Sequence, residues 1–332
     1  MKSKRRVLYI IVLGILFITP FKNVKAQHIW PEDADRYTDP IPGQEAMGHW
    51  DITISNGGAS WLEIAKSGSK SLVGQFVGQG GSARPISEIN YDEKSRTYSF
   101  TIPPQWGTEE DHLEFQLKND KLSGYIISGK GQELSWEAYR APELKTAQQL
   151  EWDEPIDLLK NGLSDWKDTT GWKIDNGILK LAAKGSEDNR NEGGNKNIKT
   201  RENFDDFKMH VEFRYGEGAN SGIYLRGRYE LQILDSYGMK AEAHGLGGIY
   251  GFISPSKNFA KKPDQWQMLN ITLVGRMVTV ELNGEKIIVN RPIPGITGGA
   301  IDSKEEKPGP IMIQGDHYGK LEFRNMSIMP AK

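Results

Sequence analysis

The 332-residue chain predicts an all-β protein, a small antiparallel barrel followed by a larger two-sheet sandwich. Three observations predict it. Short runs alternate apolar and polar residues along most of the chain. Turn residues such as Asn56-Gly57-Gly58, Ser67-Gly68, Gly80-Gly81, Asn119-Asp120 and Asn283-Gly284 separate them. No helical periodicity lasts beyond a turn or two. The composition agrees, with 37 Gly and 9 Trp. A hydrophobic share of 37% and a charged share of 26% exclude a disordered or membrane-embedded chain.

The elements follow in order. Residues 1–26 read as a signal peptide: basic "MKSKRR", apolar "VLYIIVLGILFITPF", then the small-residue site "VKA" before Gln27. The expectation is a periplasmic or secreted protein with no membrane insertion after cleavage. Cys is absent, which excludes a lipid anchor, disulfides, zinc–thiolate sites and a Cys nucleophile. A net charge of −2, with no basic block beyond the first six residues, excludes a nucleic-acid partner. A polar lead-in occupies 27–44. Residues 45–143 carry runs such as "HWDITIS", "SLVGQFVGQ" and "DHLEFQLKNDKLSGYIISG", an antiparallel meander closing as a barrel with Trp50 and Trp136 near its ends. No polar cluster stands out there, so a structural companion is favoured over a sugar-binding module. Residues 144–155 form a linker.

Residues 156–331 form the sandwich. In "DFKMHVEFRY", Phe207, Met209, Val211, Phe213 and Tyr215 face one way, and Lys208, His210, Glu212 and Arg214 the other. "MVTVELNGEKIIVN" contains Asn283-Gly284, the strongest hairpin signal in the chain. In "SGIYLRGRYELQILD", a three-residue loop Gly227-Arg228-Tyr229 would pair Arg226 with Glu230 and Tyr224 with Gln232. That register gives one apolar face and one polar face bearing a guanidinium, a carboxylate, a phenol and an amide. Such a face is either a cleft wall or an ordinary wet surface with a cross-strand ion pair. Further candidates are His244 and Tyr250 in "AEAHGLGGIYG", Lys261 in "NFAKKPDQWQ", and Gln314 and His317 in "IQGDHYG".

Taken together, "NSGIYLRG", "YELQILD", "GGIYG" and "IMIQGDHYGKLEFRNMSI" resemble the 3-keto-disaccharide hydrolase domain family, over about residues 155–330. The resemblance implies a concanavalin-like jelly-roll sandwich whose concave face binds an oligosaccharide or glycoside. It also implies cleavage of disaccharides or glycosides already oxidised to a ketone at sugar carbon 3. The family motif positions carried over are Asn220, Tyr224, Arg226, Glu230, Gln232, Asp235, Tyr250 and Gln314. His244 and His317 lie in stretches that match less closely.

A ketone at C3 acidifies the C2 proton. Loss of that proton gives an enolate that expels the C1 oxygen substituent, and addition of water then completes a net hydrolysis. In this reading Arg226 stabilises the enolate, Glu230 or His244 is the base, and Tyr224, Gln232 and Gln314 hold hydroxyls, with Asn220, Asp235, Tyr250, Lys261 and His317 also binding substrate. Two other readings stay open. One is an ordinary two-carboxylate glycosidase. Glu230 and Asp235 lie about 16 Å apart along one strand, too far for a pair that needs about 5–9.5 Å, which leaves Glu230 with Glu212. The other is a non-catalytic carbohydrate-binding protein. Oxygen ligands from Glu230, Asp235 and Asp316 suit a hard divalent cation such as calcium, although no spacing motif fixes a metal.

Overall fold

The computed structural model describes residues 40–144, 150–181, 196–315, 317 and 319–332. The signal-peptide pattern, most of the lead-in, part of the linker and Asp316 lie outside the described residues.

Eight strands form a closed antiparallel barrel: β1 (Gly48–Ile54), β2 (Ala59–Ser67), β3 (Ser71–Val77), β4 (Arg84–Asp92), β5 (Thr97–Ile102), β6 (Asp111–Lys118), β7 (Lys121–Ile127) and β8 (Glu133–Arg140). Each strand pairs with the next, and β1 also pairs with β8, setting Trp50 opposite Arg140 and Ile54 opposite Trp136. The Asn119-Asp120 turn takes φ of 53° and 55°, the left-handed pair that a two-residue hairpin between Lys118 and Lys121 needs. The interior is filled by Trp50, Leu62, Phe76, Phe100, Phe115 and Trp136.

The remaining strands make two sheets. The first has five: β10 (Trp166–Lys167), β13 (Ile198–Thr200), β20 (Met312–Ile313), β15 (Asn220–Leu225) and β16 (Tyr229–Leu234), in that spatial order. The second runs β11 (Trp172–Asp175), β12 (Ile178–Leu181), β21 (Leu321–Pro330), β14 (Phe207–Tyr215), β17 (Gln267–Val274), β18 (Met277–Leu282) and β19 (Glu285–Pro292), with β9 (Ile156–Asp157) also on β21. The chain switches sheets repeatedly between β13 and β21, the connectivity of a jelly-roll sandwich. The alternation expected of β14 holds, with Phe207, Met209, Val211, Phe213 and Tyr215 all buried. These side chains meet Ile223, Leu225, Leu231 and Ile233 of the five-stranded sheet in one apolar cluster. Asn283-Gly284 turns the β18–β19 hairpin as expected.

Barrel and sandwich share a packed seam. Ala59, Trp61 and Val77 project from the barrel into the sandwich's apolar cluster. Trp61 is fully buried and meets Phe252 edge-on at 5.4 Å between ring centres. Next to this contact the backbones themselves meet: Gly299 N donates to Gln79 O at 2.9 Å. A Cβ on Gly298 would lie 2.2 Å from Gly81 O, so only glycine allows that approach. An apolar seam of this kind holds two domains in one arrangement, and a cleft along it has fixed walls.

Candidate functional site

The β15–β16 hairpin sets the site. Its register pairs Gly222 with Gln232, Tyr224 with Glu230 and Leu225 with Tyr229, leaving Arg226-Gly227-Arg228 as the loop. The expected loop was also three residues long but lay one position later. The displacement moves the register by two, so each strand residue keeps its face. Tyr224, Glu230 and Gln232 stay together, and only Arg226 leaves the group. This corrects the expected Arg226–Glu230 pair.

The physical reason lies at the hairpin tip. Arg226 and Gly227 adopt φ of 53° and 67°. The Arg226 guanidinium donates to Asp205, to Tyr229 Oη at 3.1 Å and to the Glu305 carbonyl at 2.9 Å. Arg228 donates to Asp302 at 2.8 Å. Tyr229 Oη in turn donates to Glu305 Oε1 at 2.7 Å, and Arg276 forms an ion pair with the same carboxylate. Arg226 is therefore sealed into a network that locks the hairpin, at 1% exposure. It does not face the cleft, and the oxyanion role assigned to it has no support in this geometry.

The cleft itself is a cavity of about 390 Å³, within the size range of small-molecule sites. From the sandwich come Asn220, Tyr224, Glu230, Gln232, Tyr250, Gln314 and His317, with the backbone of Gly298 and Gly299. Seven of the eleven sequence-predicted positions thus converge. From the barrel come Gln79, Gly80, Gly81 and Trp106.

Glu230 lies on the floor at 4% exposure, and both carboxylate oxygens are engaged. Tyr224 Oη is 3.0 Å from Glu230 Oε2 and 2.9 Å from Gly298 O. A phenol has one proton, so it donates to one of these acceptors at full strength. When Glu230 carries a proton it can donate to Tyr224, and Tyr224 then donates to the carbonyl. The arrangement accommodates both protonation states of the carboxyl without moving a heavy atom. With its nitrogen turned to donate to Glu230 Oε1 at 3.1 Å and to Ser221 O at 3.2 Å, the Gln232 amide sets its oxygen 3.0 Å from the Asn220 amide, which turns as well so that its nitrogen donates. A Cβ at position 222 would fall 2.4 Å from Glu230 Oε1, so Gly222 makes room for the carboxylate. Backbone bonds hold the strand from its outer side: Gln232 N donates to Gly248 O and Tyr250 N to Glu230 O, at 2.9 and 3.0 Å. The Gly-rich loop thereby places Tyr250 in the cleft wall, and Gln105 of the barrel donates to its hydroxyl at 3.4 Å.

Four predicted residues are not brought into the lining. Arg226 is sealed in the hairpin-tip network. His244 is exposed and sits edge-on behind Tyr250, 4.9 Å between ring centres. Asp235 accepts from Gly218 N at 2.9 Å in the turn that precedes β15. Lys261 lies beside the other sheet, where its backbone N donates to Gln267 Oε1 at 2.8 Å and its Nζ to Trp266 O at 3.0 Å. Glu212 is also elsewhere: it is on β14, with Val211 and Phe213 turned into the core, and it pairs with Arg324 at 2.6 Å on the outer face. The apolar core separates it from Glu230, which overturns the cross-strand pairing of those two acids. Glu230 is the one carboxylate among the described residues lining this cleft. Among the described residues no three His, Asp or Glu side chains are placed to hold a metal ion, and Glu230 and Asp235 in particular do not converge.

The barrel's share was missed by sequence reasoning. Gln79, Gly80 and Gly81 sit in the Gly-rich loop after β3 and Trp106 in the loop after β5, and neither loop has strand periodicity. The exposed Trp106 in "PPQWGTEE", beside the polar "GQGGS" stretch, was the available signal.

The architecture is thus that of a β-sandwich with a sugar-sized polar cleft completed by a second β domain. Residues 155–329 match the family described as 3-keto-alpha-glucoside-1,2-lyase-like domain, and the chain belongs to that family. Solved structures with similarity include two candidate glycosyl hydrolases from Parabacteroides distasonis ATCC 8503. One is 25% identical with a TM-score of 0.43, over 56% of this chain and 93% of that one. The other is 22% identical with a TM-score of 0.42, over 53% and 98%. A Trypanosoma rangeli sialidase shares 8% identity with a TM-score of 0.29, over 83% and 66%. Scores of this size leave the fold assignment resting on the strand pairing itself. No curated protein matches the chain.

Proposed function

We propose that this protein cleaves the glycosidic bond of a 3-keto-glycoside by elimination across C1 and C2 followed by addition of water. The observation that carries the reading is the buried Glu230 carboxylate, held by Tyr224 and Gln232 on the floor of a sugar-sized cleft. The family description, which names a 3-keto-alpha-glucoside and a 1,2-lyase, supports the same chemistry.

Glu230 takes the C2 proton, and the C–H electron pair becomes the C2–C3 double bond of an enolate whose charge rests on the C3 oxygen. The enolate collapses to a C1–C2 double bond, the C1–O bond breaks, and the leaving oxygen takes a proton. Water then adds its oxygen at C1 and a proton returns to C2. The enolate oxygen needs a hydrogen-bond donor, and with Arg226 sealed away the candidates are the Tyr224 phenol and the Gln314 amide, both in the lining. His317, also in the lining, is the candidate to protonate the leaving oxygen. A single acid–base carboxylate suffices for this chemistry, whereas direct hydrolysis by an acid and a nucleophile or base needs two.

The test is a panel of 3-keto-glycosides beside their unoxidised parents, with and without chelator. Cleavage confined to the keto-sugars is expected. Cleavage of the parents at a similar rate makes the protein an ordinary glycosidase, and binding without any turnover makes it a carbohydrate-binding protein. The proposal places the enzyme outside the cytoplasm, on the signal-peptide pattern of residues 1–26. A mature chain beginning at Gln27 is the expected result of N-terminal sequencing, and retention of that segment contradicts it.

A further inference from the structure

We infer that the mouth of the barrel is a second sugar subsite, continuous with the Glu230 cleft, that receives the leaving-group side of the substrate. The inference rests on the keto-glycoside reading for its substrate but on separate residues for its binding.

A cavity of about 420 Å³ opens at one end of the barrel, and its lining shares Gln79, Gly80 and Trp106 with the Glu230 cleft. The two volumes therefore meet at Trp106, a side chain 63% exposed although it is large and apolar. The floor of the mouth is apolar, with Ile54, Phe76, Ile126 and Leu134, and its rim is polar. Arg84 stands in the wall with its guanidinium 5.9 Å from the Phe76 ring centre, and its Nε is buried without a hydrogen-bond partner among the described residues. The rest of the guanidinium belongs to the lining of the mouth and carries NH donors beyond this sealed one.

The chemistry of the cup selects the ligand class. Arg84 and Lys130 are opposed by Glu109 and Asp111 in the same lining, so the formal charges cancel and nothing favours an anion. What is left is an exposed indole, an apolar floor and amide and guanidinium donors at the rim. That set fits a neutral, hydroxyl-rich ring with one flat C–H face, which is a pyranose. Because Trp106 borders both volumes, a sugar in the mouth is joined through the glycosidic oxygen to the sugar over Glu230. The cleft then takes the oxidised ring and the mouth takes the ring that leaves.

Arg84→Ala and Gln132→Ala test the mouth without touching the Glu230 cleft, and Gln132 is exposed, so its replacement does not endanger folding. Rates are compared on three 3-keto substrates: a methyl α-glucoside, an α-1,2-linked glucose disaccharide and the corresponding trisaccharide. Wild type is expected to gain about tenfold in kcat/KM from the methyl glycoside to the longer substrates, the worth of one or two hydrogen bonds and a stacking contact. Both variants are expected to lose that gain and to keep the wild-type rate on the methyl glycoside. A wild type with no preference for length, or variants that retain it, overturns the subsite. If no keto-sugar is turned over, the proposed reaction fails, and calorimetric binding of the unoxidised trisaccharide against methyl glucoside decides the subsite alone. Binding of the trisaccharide that both variants weaken supports it. Binding that the variants leave unchanged, or no binding at all, overturns it.

Discussion

Two buried polar networks lie on one hairpin, a few residues apart, and only one of them faces a cavity. In the cleft, Tyr224, Gln232 and Asn220 surround Glu230 beside open volume. At the hairpin tip, Arg226, Tyr229, Arg276 and Glu305 form a denser set, with Glu305 fully buried. The tip network holds more formal charge than the cleft network and lines neither of the two cavities described above. The lesson is that residue types do not distinguish a site from a structural lock. Accessible volume beside the polar atoms does. The tip network ties β15 and β16 to the loop at Glu305, and through Asp51, which faces Glu305 from the barrel, it reaches the seam that closes the cleft. One network is thus the scaffold on which the other depends.

The sharpest way to separate the two is to remove one carboxylate from each. Glu230→Gln is expected to lower kcat on a 3-keto-glycoside by on the order of 10²–10⁴-fold while leaving the urea midpoint nearly unchanged, since an amide fits the same space. An unchanged rate removes Glu230 from the reaction. Glu305→Gln is expected to do the converse. It leaves Arg276 and Tyr229 without their shared carboxylate and costs about 3–5 kcal/mol of stability, read as a lower urea midpoint, while the folded fraction keeps its turnover. Lost turnover in a fully folded Glu305→Gln protein would collapse the distinction.

A smaller effect sharpens the link between them. Burial, then the Glu305 carboxylate, pushes the Asp51 carboxyl up to about 9, against a smaller opposing pull from Arg276 and a small further push from Glu306. The unfolded chain releases this proton near pH 4 and the folded chain holds it to about pH 9, so the unfolded state is favoured progressively as pH rises between them. Stability is lost across that window at no more than about 1.4 kcal/mol per pH unit from this group. Asp51→Asn, which keeps a donor toward Glu305, is expected to remove that slope. Its stability advantage over wild type should grow from pH 5 to pH 8 in urea titrations. An advantage that stays constant with pH would mean that Asp51 titrates normally.

Much of the fold was legible because alternation and turn chemistry are local. Asn119-Asp120 and Asn283-Gly284 turn where their φ preferences allow, and β14 alternates as written. The site was legible by parity. Tyr224, Glu230 and Gln232 share a face whatever the loop position, provided that the loop moves by whole residues on both strands. The register itself was not legible, because the partners that capture Arg226 and Arg228 are Asp205, Asp302 and Glu305, and the last two lie more than 70 residues away. The Glu212–Glu230 pairing failed for a related reason: strand adjacency in a sandwich that switches sheets is not written in the spacing of its strands. The barrel's contribution was hidden because Gln79, Gly80 and Trp106 come from loops, and only the docking of one domain on the other brings them to the cleft.

The central claim is that Glu230 removes a proton from C2 of an oxidised sugar. Turnover of a 3-keto-glycoside in D2O tests it most directly, with the released sugar examined by NMR or mass spectrometry. Elimination and rehydration predict one deuterium at C2 of the product, placed there during turnover by wild type and lost together with cleavage in Glu230→Gln. Product formed at full rate with only hydrogen at C2 would show that the bond breaks without an enolate, and would contradict the account.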